Sequence, residues 1–197
     1  PGTVGIGHTR WATHGAPSDI NSHPQVSDGG KFAVVHNGII ENYLYLKNHL
    51  IRRGVEFVSE TDTEVVAQML EHYYQGDVLE AIRKVISKVE GSYALGIICA
   101  DCPEKLFAVR KDSPLIIGVG EGENYIASDV PAILSRTRDI YRLKDQEIAV
   151  LTREGVAFYD QELEPITKEM ERVQWDVAAA EKGGYEHFMM KEICEQP

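Results

Sequence analysis

The stretch that decides the fold of this chain is Tyr93–Cys99, with the sequence YALGIIC. It is apolar at nearly every position, whereas a strand with one face in water alternates apolar and polar residues. The stretch therefore predicts a strand that is covered on both faces and lies inside a sheet. Such a strand needs a further layer on each side, which the rest of the chain must supply.

Strand-like segments occur on both sides of this stretch. Each is rich in Val, Ile, Tyr and Phe and is bounded by Gly, Asp or Pro, which favour turns. The predicted strands are Thr3–His8, Lys31–His36, Val55–Val58, Ser92–Ala100, Lys105–Arg110, Leu115–Val119, Asn124–Ser128, Ile140–Leu143, Glu147–Leu151 and Val156–Tyr159. The last two are joined by a tight Arg-Glu-Gly turn and are typical of a hairpin at a sheet edge.

Helical patterns are concentrated in the first half of the chain. Glu41–Arg53, Thr61–Tyr74 and Asp77–Val89 carry apolar residues at helical spacing, and a fourth helix is predicted over Tyr185–Glu195. The second helix has an acidic first turn, which suits the helix dipole. Because these helices precede a run of strands instead of alternating with them, the pattern predicts an α+β fold with antiparallel sheets.

The composition excludes several classes of partner. The 197 residues include 20 Lys and Arg against 31 Asp and Glu, a formal net charge of −11, which disfavours binding to nucleic acid or an anionic membrane surface. No apolar run approaches the roughly 18 residues that span a bilayer. Three cysteines are too few for a disulfide scaffold, so we expect a reducing, cytoplasmic location.

Both ends of the sequence are typical of a piece of a longer protein. The chain begins at Pro1 with a strand-like run already under way, and Glu192–Pro197 ends in mid-pattern. We expect a domain over residues 1–165 that is truncated at its N-terminus. Residues 166–197 are then an exit segment with a hinge-like break at Glu181–Gly184, leading to a missing second domain.

The first candidate site segment is Gly7–Gly15. It places Arg10 at the end of a strand-like run and opens a long loop that reaches Asp28–Gly30. Long loops between strands often cover ligands, and the planar guanidinium fork suits a carboxylate. The alternative is a structural salt bridge of Arg10 next to a core tryptophan, Trp11.

Two further segments complete the candidate site. Asn37-Gly38 follows an apolar strand and precedes the polar start of a helix; its side-chain amide and flexible backbone N–H could hold a developing oxyanion, although Asn-Gly is most often a turn. Asp62 lies at or next to a helix start, where it could cap the helix or bind an ammonium group. With Arg10, these residues describe a site for an α-amino acid that has a reactive side-chain carbonyl.

Weaker signals do not indicate a metal or a cofactor. Cys99 and Cys102 form a lone C-x-x-C without a second pair, so we predict neither a zinc nor a redox site there. The Gly118–Gly122 segment lacks the spacing and the helix of a dinucleotide loop and is interpreted as a turn. Structural hydrogen bonding, not metal binding, is predicted for His8, His14, His23 and His36.

Four strings carry a resemblance to a known family: TRWATHG (residues 9–15), HNGIIEN (36–42), SETDTE (59–64) and MKEICEQP (190–197). On these strings the chain resembles the glutaminase domains of glutamine–fructose-6-phosphate aminotransferases, which are class II glutamine amidotransferases of the N-terminal-nucleophile hydrolase superfamily. The resemblance runs through essentially all of the chain. The last string resembles the linker into the sugar-binding half, and it separates the chain from amidophosphoribosyltransferases and asparagine synthetases.

The resemblance implies a fold and an activity. The fold is an αββα four-layer sandwich. The activity is hydrolysis of glutamine to glutamate, with the ammonia used to convert fructose 6-phosphate to glucosamine 6-phosphate. It implies no cofactor, a sugar-isomerase domain in the same parent chain and a parent that is a homo-oligomer.

The resemblance also implies roles for individual residues. Arg10 binds the α-carboxylate of glutamine and Asp62 its α-ammonium group. The Asn37 side chain and the Gly38 backbone N–H form the oxyanion hole.

The remaining family roles concern the loop and the nucleophile. Thr13 and His14 line the glutamine loop, and Trp11 gates the passage of ammonia. The family's nucleophile is an N-terminal cysteine, which this sequence does not contain; its cysteines are internal, at positions 99, 102 and 194, and we expect them to lie away from the oxyanion hole. The chain is therefore expected to hold the binding half of the site without the reacting thiol and to be inactive by itself. Two alternatives are a non-catalytic glutamine-binding module and an amidophosphoribosyltransferase-like relative.

Overall fold

The computed structural model describes residues 2–174, 185 and 187–195. Its helices are α1 (Tyr43–Ile51), α2 (Asp62–Tyr73), α3 (Val78–Ile86) and α4 (Phe188–Glu195). Its strands are β1 (Gln25–Val26), β2 (Phe32–Ile40), β3 (Gly91–Cys99), β4 (Leu106–Lys111), β5 (Ile116–Val119), β6 (Asn124–Ala127), β7 (Asp139–Arg142), β8 (Ile148–Leu151), β9 (Val156–Tyr159), β10 (Pro165–Ile166) and β11 (Glu171–Arg172). The pairs between these strands are antiparallel.

The strands form two sheets. The larger has the order β1-β2-β3-β4-β8-β9-β10 and the smaller β11-β7-β5-β6. The interior position of β3, between β2 and β4, confirms the prediction for Tyr93–Cys99. Leu95 and Ile97 belong to the core under the helices, while Ala94 belongs to the core between the sheets. Both faces of β3 are therefore covered.

Gly96 lies close to side chains of both sheets. A Cβ atom at this position would lie 2.6 Å from Ile126 of β6 and 2.9 Å from Val35 of β2. Real Cβ atoms do not come so close, so a larger residue would require the Ile126 and Val35 side chains to move. The glycine in the middle of an otherwise bulky apolar strand is explained by this contact.

The helical layer lies on the outer face of the larger sheet and is centred on α2. This helix begins at Thr61, whose Oγ1 accepts a hydrogen bond from the Glu64 backbone N–H at 3.2 Å. The Glu64 carboxylate is fully buried and accepts from the backbone N–H groups of Val58 at 2.9 Å and Ser59 at 2.7 Å. One acidic side chain thus fixes the segment that leads into the helix.

Two predicted strands are absent. Val55–Val58 pairs with no strand, because its apolar residues Val55 and Phe57 pack against the helical core and the Val58 N–H is bonded to a side chain. Thr3–His8 is also not a strand; its Val4 and Ile6 side chains pack against the core between the sheets. In both segments the apolar side chains pack against a core, but the backbone forms no hydrogen-bonded ladder with another strand.

Other elements differ from prediction in extent. The strand predicted over Lys31–His36 continues through Asn37 and Gly38 to Ile40. The two-residue strands β1, β10 and β11 were not predicted, since a pair of residues shows no periodicity. The hairpin of β8 and β9 is present, and β10 lies outside it as the edge of the larger sheet.

The predicted α+β class is confirmed. The described residues form a helical layer, the two sheets and a far side where Ile133 and Leu134, from a turn, and Val173 cover the smaller sheet. That helices form a fourth layer on this far side of the smaller sheet stays a prediction.

The C-terminal part of the chain is described only in part. Residues of β10 and β11 pair in the two sheets, so the chain belongs to the folded body at least as far as Val173. The division into residues 1–165 and 166–197 stays a prediction, and the predicted hinge at Glu181–Gly184 lies outside the described residues. Within the described part, no helix has the length and apolar character needed to cross a bilayer.

Candidate active site

A cavity of about 480 Å³ lies where β2, the start of α2 and the loop that begins at His8 meet. Six of the seven predicted site residues line it: Arg10, Trp11, Thr13, Asn37, Gly38 and Asp62. The seventh, His14, is not part of the lining, but its Nδ1 lies 3.8 Å from the Asp62 carboxylate. Segments that are far apart in the sequence are thus brought to one place.

Arg10 sits on the rim segment in an unusual backbone conformation. Its φ is 49°, a region that few residues other than glycine adopt. Its Nη2 donates to the carbonyl oxygens of His14 and, at 3.1 Å, Gly15, and its backbone N–H donates to His8 Nδ1 at 2.9 Å. Arg10 therefore braces the loop and pairs with no acid in the described part of the chain. The alternative of a salt bridge beside a core tryptophan does not hold, because Trp11 is 90% exposed.

Asp62 is the first residue of α2, and the helix cap is its neighbour Thr61. The carboxylate is buried, and its Oδ2 accepts a hydrogen bond from the Ile40 backbone N–H at 2.8 Å, which ties the helix start to the end of β2. The other oxygen, Oδ1, is the one near His14. One carboxylate oxygen thus has a structural role while the second remains able to meet a cation.

Asn37 and Gly38 are part of β2 and not a hairpin turn. Gly38 has a φ of 133°, and a Cβ atom there would collide with the backbone carbonyl oxygen of Ser92, so only glycine fits. The Asn37 side chain is exposed in the cavity and makes no hydrogen bond to any residue that the structure describes. Its amide can therefore bind a ligand without breaking an existing bond.

A hydrogen-bonded group of histidines forms the inner wall. Thr63 Oγ1 lies 3.0 Å from His23 Nε2 and 2.9 Å from His36 Nδ1, and the His8 ring packs on His23 with centroids 5.0 Å apart. Burial lowers the pKa of His8 and His36. Burial, together with the nearby His8, His36 and Arg10 side chains, lowers the pKa of His23 to about 4. These three imidazoles are therefore neutral near pH 7.

The neutral histidines leave a simple charge pattern. Among the described residues that line the cavity, Arg10 and Asp62 are the only arginine, lysine, aspartate or glutamate side chains. The wall therefore presents one positive and one negative group. A larger cavity of about 580 Å³ does not share this pattern: its cations Arg110 and Arg142 are already paired with Asp145 and Glu171.

Comparison with known proteins identifies the family. The sequence profile described as "Glutamine amidotransferase domain" matches residues 8–135, a range that contains every residue lining the cavity. The chain belongs to the glutamine amidotransferase family. This agrees with the resemblance seen in the sequence motifs.

The individual relatives have names that are more specific than that of the family. Two proteins named glutamine--fructose-6-phosphate aminotransferase [isomerizing], from Caldanaerobacter subterraneus subsp. tengcongensis and from Thermus thermophilus, are 63% and 53% identical to this amidotransferase chain over 196 residues. Each match covers 100% of the chain and 32% of the relative, so the chain spans about a third of the length of these curated relatives.

Solved structures support the fold. Glutamine phosphoribosylpyrophosphate amidotransferase from B. subtilis, complexed with ADP and GMP, matches with a TM-score of 0.63 and 24% identity. The match covers 86% of this chain and 34% of that one. At this identity the likeness concerns the fold alone.

The cysteines of this amidotransferase domain lie apart from the site. Cys99 is buried in the core under the helices. Burial, together with the nearby Cys99 thiol, raises the pKa of Cys102 to about 11. Cys194 is on α4. Among the described residues that line the cavity there is no cysteine.

Sequence reasoning missed several lining residues. Thr63 follows Asp62 directly. Its hydroxyl group beside this candidate binding residue was the one local feature of the sequence that could have indicated a role. Ser92 and Ser128 reach the cavity from the start of β3 and the end of β6. Nothing in their own segments indicates a site, because their position depends on strand pairing.

Proposed function

We propose that this amidotransferase domain binds L-glutamine in the cavity and hydrolyses its side-chain amide, and that the ammonia serves the conversion of fructose 6-phosphate to glucosamine 6-phosphate in a longer protein. The observation that carries the proposal is the joint presence of a guanidinium, a buried carboxylate and an unbonded amide beside a glycine in one cavity. These groups complement the three functional groups of glutamine.

Binding rests on the two charged residues. In the proposal, the Arg10 guanidinium receives the α-carboxylate and Asp62 Oδ1 receives the α-ammonium group through charge-assisted hydrogen bonds. Trp11 and Thr13, exposed on the rim, cover the bound amino acid, and His14 holds the loop near Asp62.

The chemical step uses the second part of the cavity. When a nucleophile attacks the amide carbon, the carbonyl oxygen gains negative charge, which the Asn37 amide and the Gly38 backbone N–H stabilise. The nitrogen leaves as ammonia after it takes up a proton, and water then releases glutamate from the acyl intermediate. The thiol that the family resemblance implies is not among the described lining residues, so the full-length protein is the material for the test.

The sugar substrate is proposed from the relatives. Proteins named glutamine--fructose-6-phosphate aminotransferase are 63% and 53% identical to this chain over 196 residues, whereas the phosphoribosylpyrophosphate enzyme is 24% identical. We also propose that the partner is a sugar-isomerase domain of the same parent chain, that the parent is a homo-oligomer and that it is cytoplasmic, in keeping with three free cysteines.

The test is kinetic and uses the full-length protein. Glutamate should form from glutamine, and glucosamine 6-phosphate should form only when fructose 6-phosphate is present. Arg10→Ala should raise the KM for glutamine at least tenfold, because a hydrogen bond to a charged group contributes about 1.5–3 kcal/mol. Synthesis from free ammonia, where the parent supports it, should not change.

Two glutamine analogues separate the binding roles. Glutaramate lacks the α-ammonium group and 4-aminobutanamide lacks the α-carboxylate, so each should compete weakly with glutamine. Arg10→Ala should weaken binding of glutaramate but leave that of 4-aminobutanamide unchanged. Use of phosphoribosyl pyrophosphate in place of the sugar phosphate, or glutamine binding without hydrolysis, would contradict the proposal and favour one of the two alternatives.

A further inference from the structure

Asn21 is a buried polar residue that lies outside the cavity lining and has no role in the proposed chemistry. It is 4% exposed. Its Nδ2 donates to the Ala16 carbonyl oxygen at 2.9 Å and to Glu60 Oε2 at 3.2 Å, while its Oδ1 accepts from the Glu60 backbone N–H at 3.0 Å. A single amide thus joins two segments that are about forty residues apart in the sequence.

The first segment is the loop that carries Arg10. Ala16 follows Gly15, and the Gly15 carbonyl receives the Arg10 guanidinium. Gly15 has a φ of 76°, and a Cβ atom there would lie 2.6 Å from the Asn21 amide nitrogen and 2.9 Å from the Glu60 Cβ. The loop therefore packs directly against Asn21, and the Arg10 guanidinium is hydrogen-bonded to the same loop.

The second segment leads into α2. Glu60 immediately precedes the helix cap, Thr61, and Asp62 is the next residue. Both the backbone and the side chain of Glu60 are bonded to Asn21. The Asn21 side chain is thus one of the contacts that set the position of the Asp62 carboxylate relative to the loop, beside the contact between His23 and Thr63.

We infer that Asn21 is a positioning residue that fixes the spacing between Arg10 and Asp62. This inference rests on the proposed function. The α-carboxylate and the α-ammonium group of glutamine share one carbon atom, so both charges can be paired only if the two protein groups keep a fixed separation. Asn21 therefore determines affinity for the amino-acid end of glutamine, while Asn37 and Gly38 act on the amide.

The experiment compares Asn21→Ala and the milder Asn21→Ser with the wild-type full-length protein. We expect the KM for glutamine to rise about tenfold in the alanine variant, since small misplacements of binding groups are costly. The kcat at saturating glutamine should stay within about twofold, because the groups at the amide are untouched.

The analogue glutaramate distinguishes positioning from a general loss of structure. In the wild type, glutamine should bind more tightly than glutaramate because both of its charges are paired. In the Asn21 variants this ratio should shrink toward one, because Arg10 and Asp62 can no longer be reached together. Damage to the fold as a whole would weaken both ligands alike and leave the ratio unchanged.

Asp77→Ala is the matched control for stability. Asp77 is exposed, lies outside the cavity lining and accepts two backbone hydrogen bonds at the start of α3. Its loss should lower the melting temperature without changing the KM for glutamine. The inference is overturned if the Asn21 variants keep the wild-type KM and ligand ratio, if Asp77→Ala changes them equally, or if neither Asn21 variant folds. A wild-type protein that does not hydrolyse glutamine would instead refute the proposed function, and the inference with it.

Discussion

Asp62→Asn separates the two functions of one carboxylate. The Oδ2 atom of Asp62 accepts a hydrogen bond from the Ile40 backbone N–H at 2.8 Å, and an asparagine oxygen can accept the same bond. The substitution keeps the size of the side chain and removes its negative charge. It should therefore spare the connection between α2 and β2 and impair only the contact with an ammonium group.

The expected magnitude follows from the type of bond that is lost. A hydrogen bond to a charged partner contributes about 1.5–3 kcal/mol, and about 1.4 kcal/mol corresponds to a factor of ten, so the KM for glutamine should rise about 10- to 150-fold. The free energy of unfolding should change little. Asp62→Ala, by contrast, leaves the buried Ile40 N–H without its acceptor, which should cost about 1–3 kcal/mol of stability in addition.

The assay is glutamate formation by the full-length protein, with glutaramate as the control ligand. Because glutaramate has no ammonium group, its inhibition constant should be the same for the wild type and for Asp62→Asn. Urea unfolding of both variants measures the structural part of the effect. An unchanged KM for glutamine in Asp62→Asn, or an equal weakening of glutaramate, would refute the assignment of Asp62 to the ammonium group.

Three further predictions test the surroundings of the site. Gly38→Ala should cost about 1–3 kcal/mol and abolish glutamine hydrolysis, because its φ of 133° and the nearby Ser92 carbonyl exclude a Cβ atom; a variant with normal melting and activity would count against this. His23 has a native pKa of about 4 against a usual 6.5, so the unfolded state binds more protons between these values and the free energy of unfolding should fall as the pH drops through that range. Urea titrations at several pH values should show a smaller fall for His23→Gln, and an identical slope would contradict the reasoning. Glu64→Ala should cost roughly 3 kcal/mol in guanidinium unfolding because it leaves two backbone N–H groups unpaired, whereas a loss below about 1 kcal/mol would show that those groups find other acceptors.

The parts of the fold that the sequence predicted are those determined locally. An uninterrupted apolar run such as Tyr93–Cys99 indicates burial on both faces of a strand whatever its neighbours are. Apolar residues at helical spacing likewise predict α2 from its own segment alone. The failures at Thr3–His8 and Val55–Val58 have a common cause. Apolar, β-branched residues show that side chains are buried, but they do not show where the backbone N–H groups find acceptors. At Val58 the acceptor is a glutamate side chain in the following helix.

The path of β2 through Asn37 and Gly38 illustrates a second limit. A dipeptide of asparagine and glycine usually marks a turn, because glycine adopts positive φ values at little cost. Here the same freedom is used to pass the Ser92 carbonyl oxygen within a continuing strand. The neighbouring strand that creates this need is more than fifty residues away in the sequence, so no local pattern could reveal it.

The candidate site was predictable to the extent that its residues lie in short motifs. Arg10, Asn37 and Asp62 come from three such motifs, and the structure places them around one cavity. Asn21 and Thr63 were not predicted to contribute, since each acts through hydrogen bonds to residues 27 to 40 positions away. Which polar residues of a long loop support a site depends on partners that only the fold brings near.

The protonation states of the histidines connect the architecture of the cavity to its selectivity. If His23 and His36 were charged, they would neutralise Asp62, and an ammonium group would gain little from meeting it. Burial keeps them neutral, so the cavity retains one positive group, Arg10, and one negative group. A free amino acid with an uncharged side chain carries the same two charges on a single carbon atom. We therefore propose that the cavity selects a zwitterion with a neutral amide over a ligand that lacks either charge.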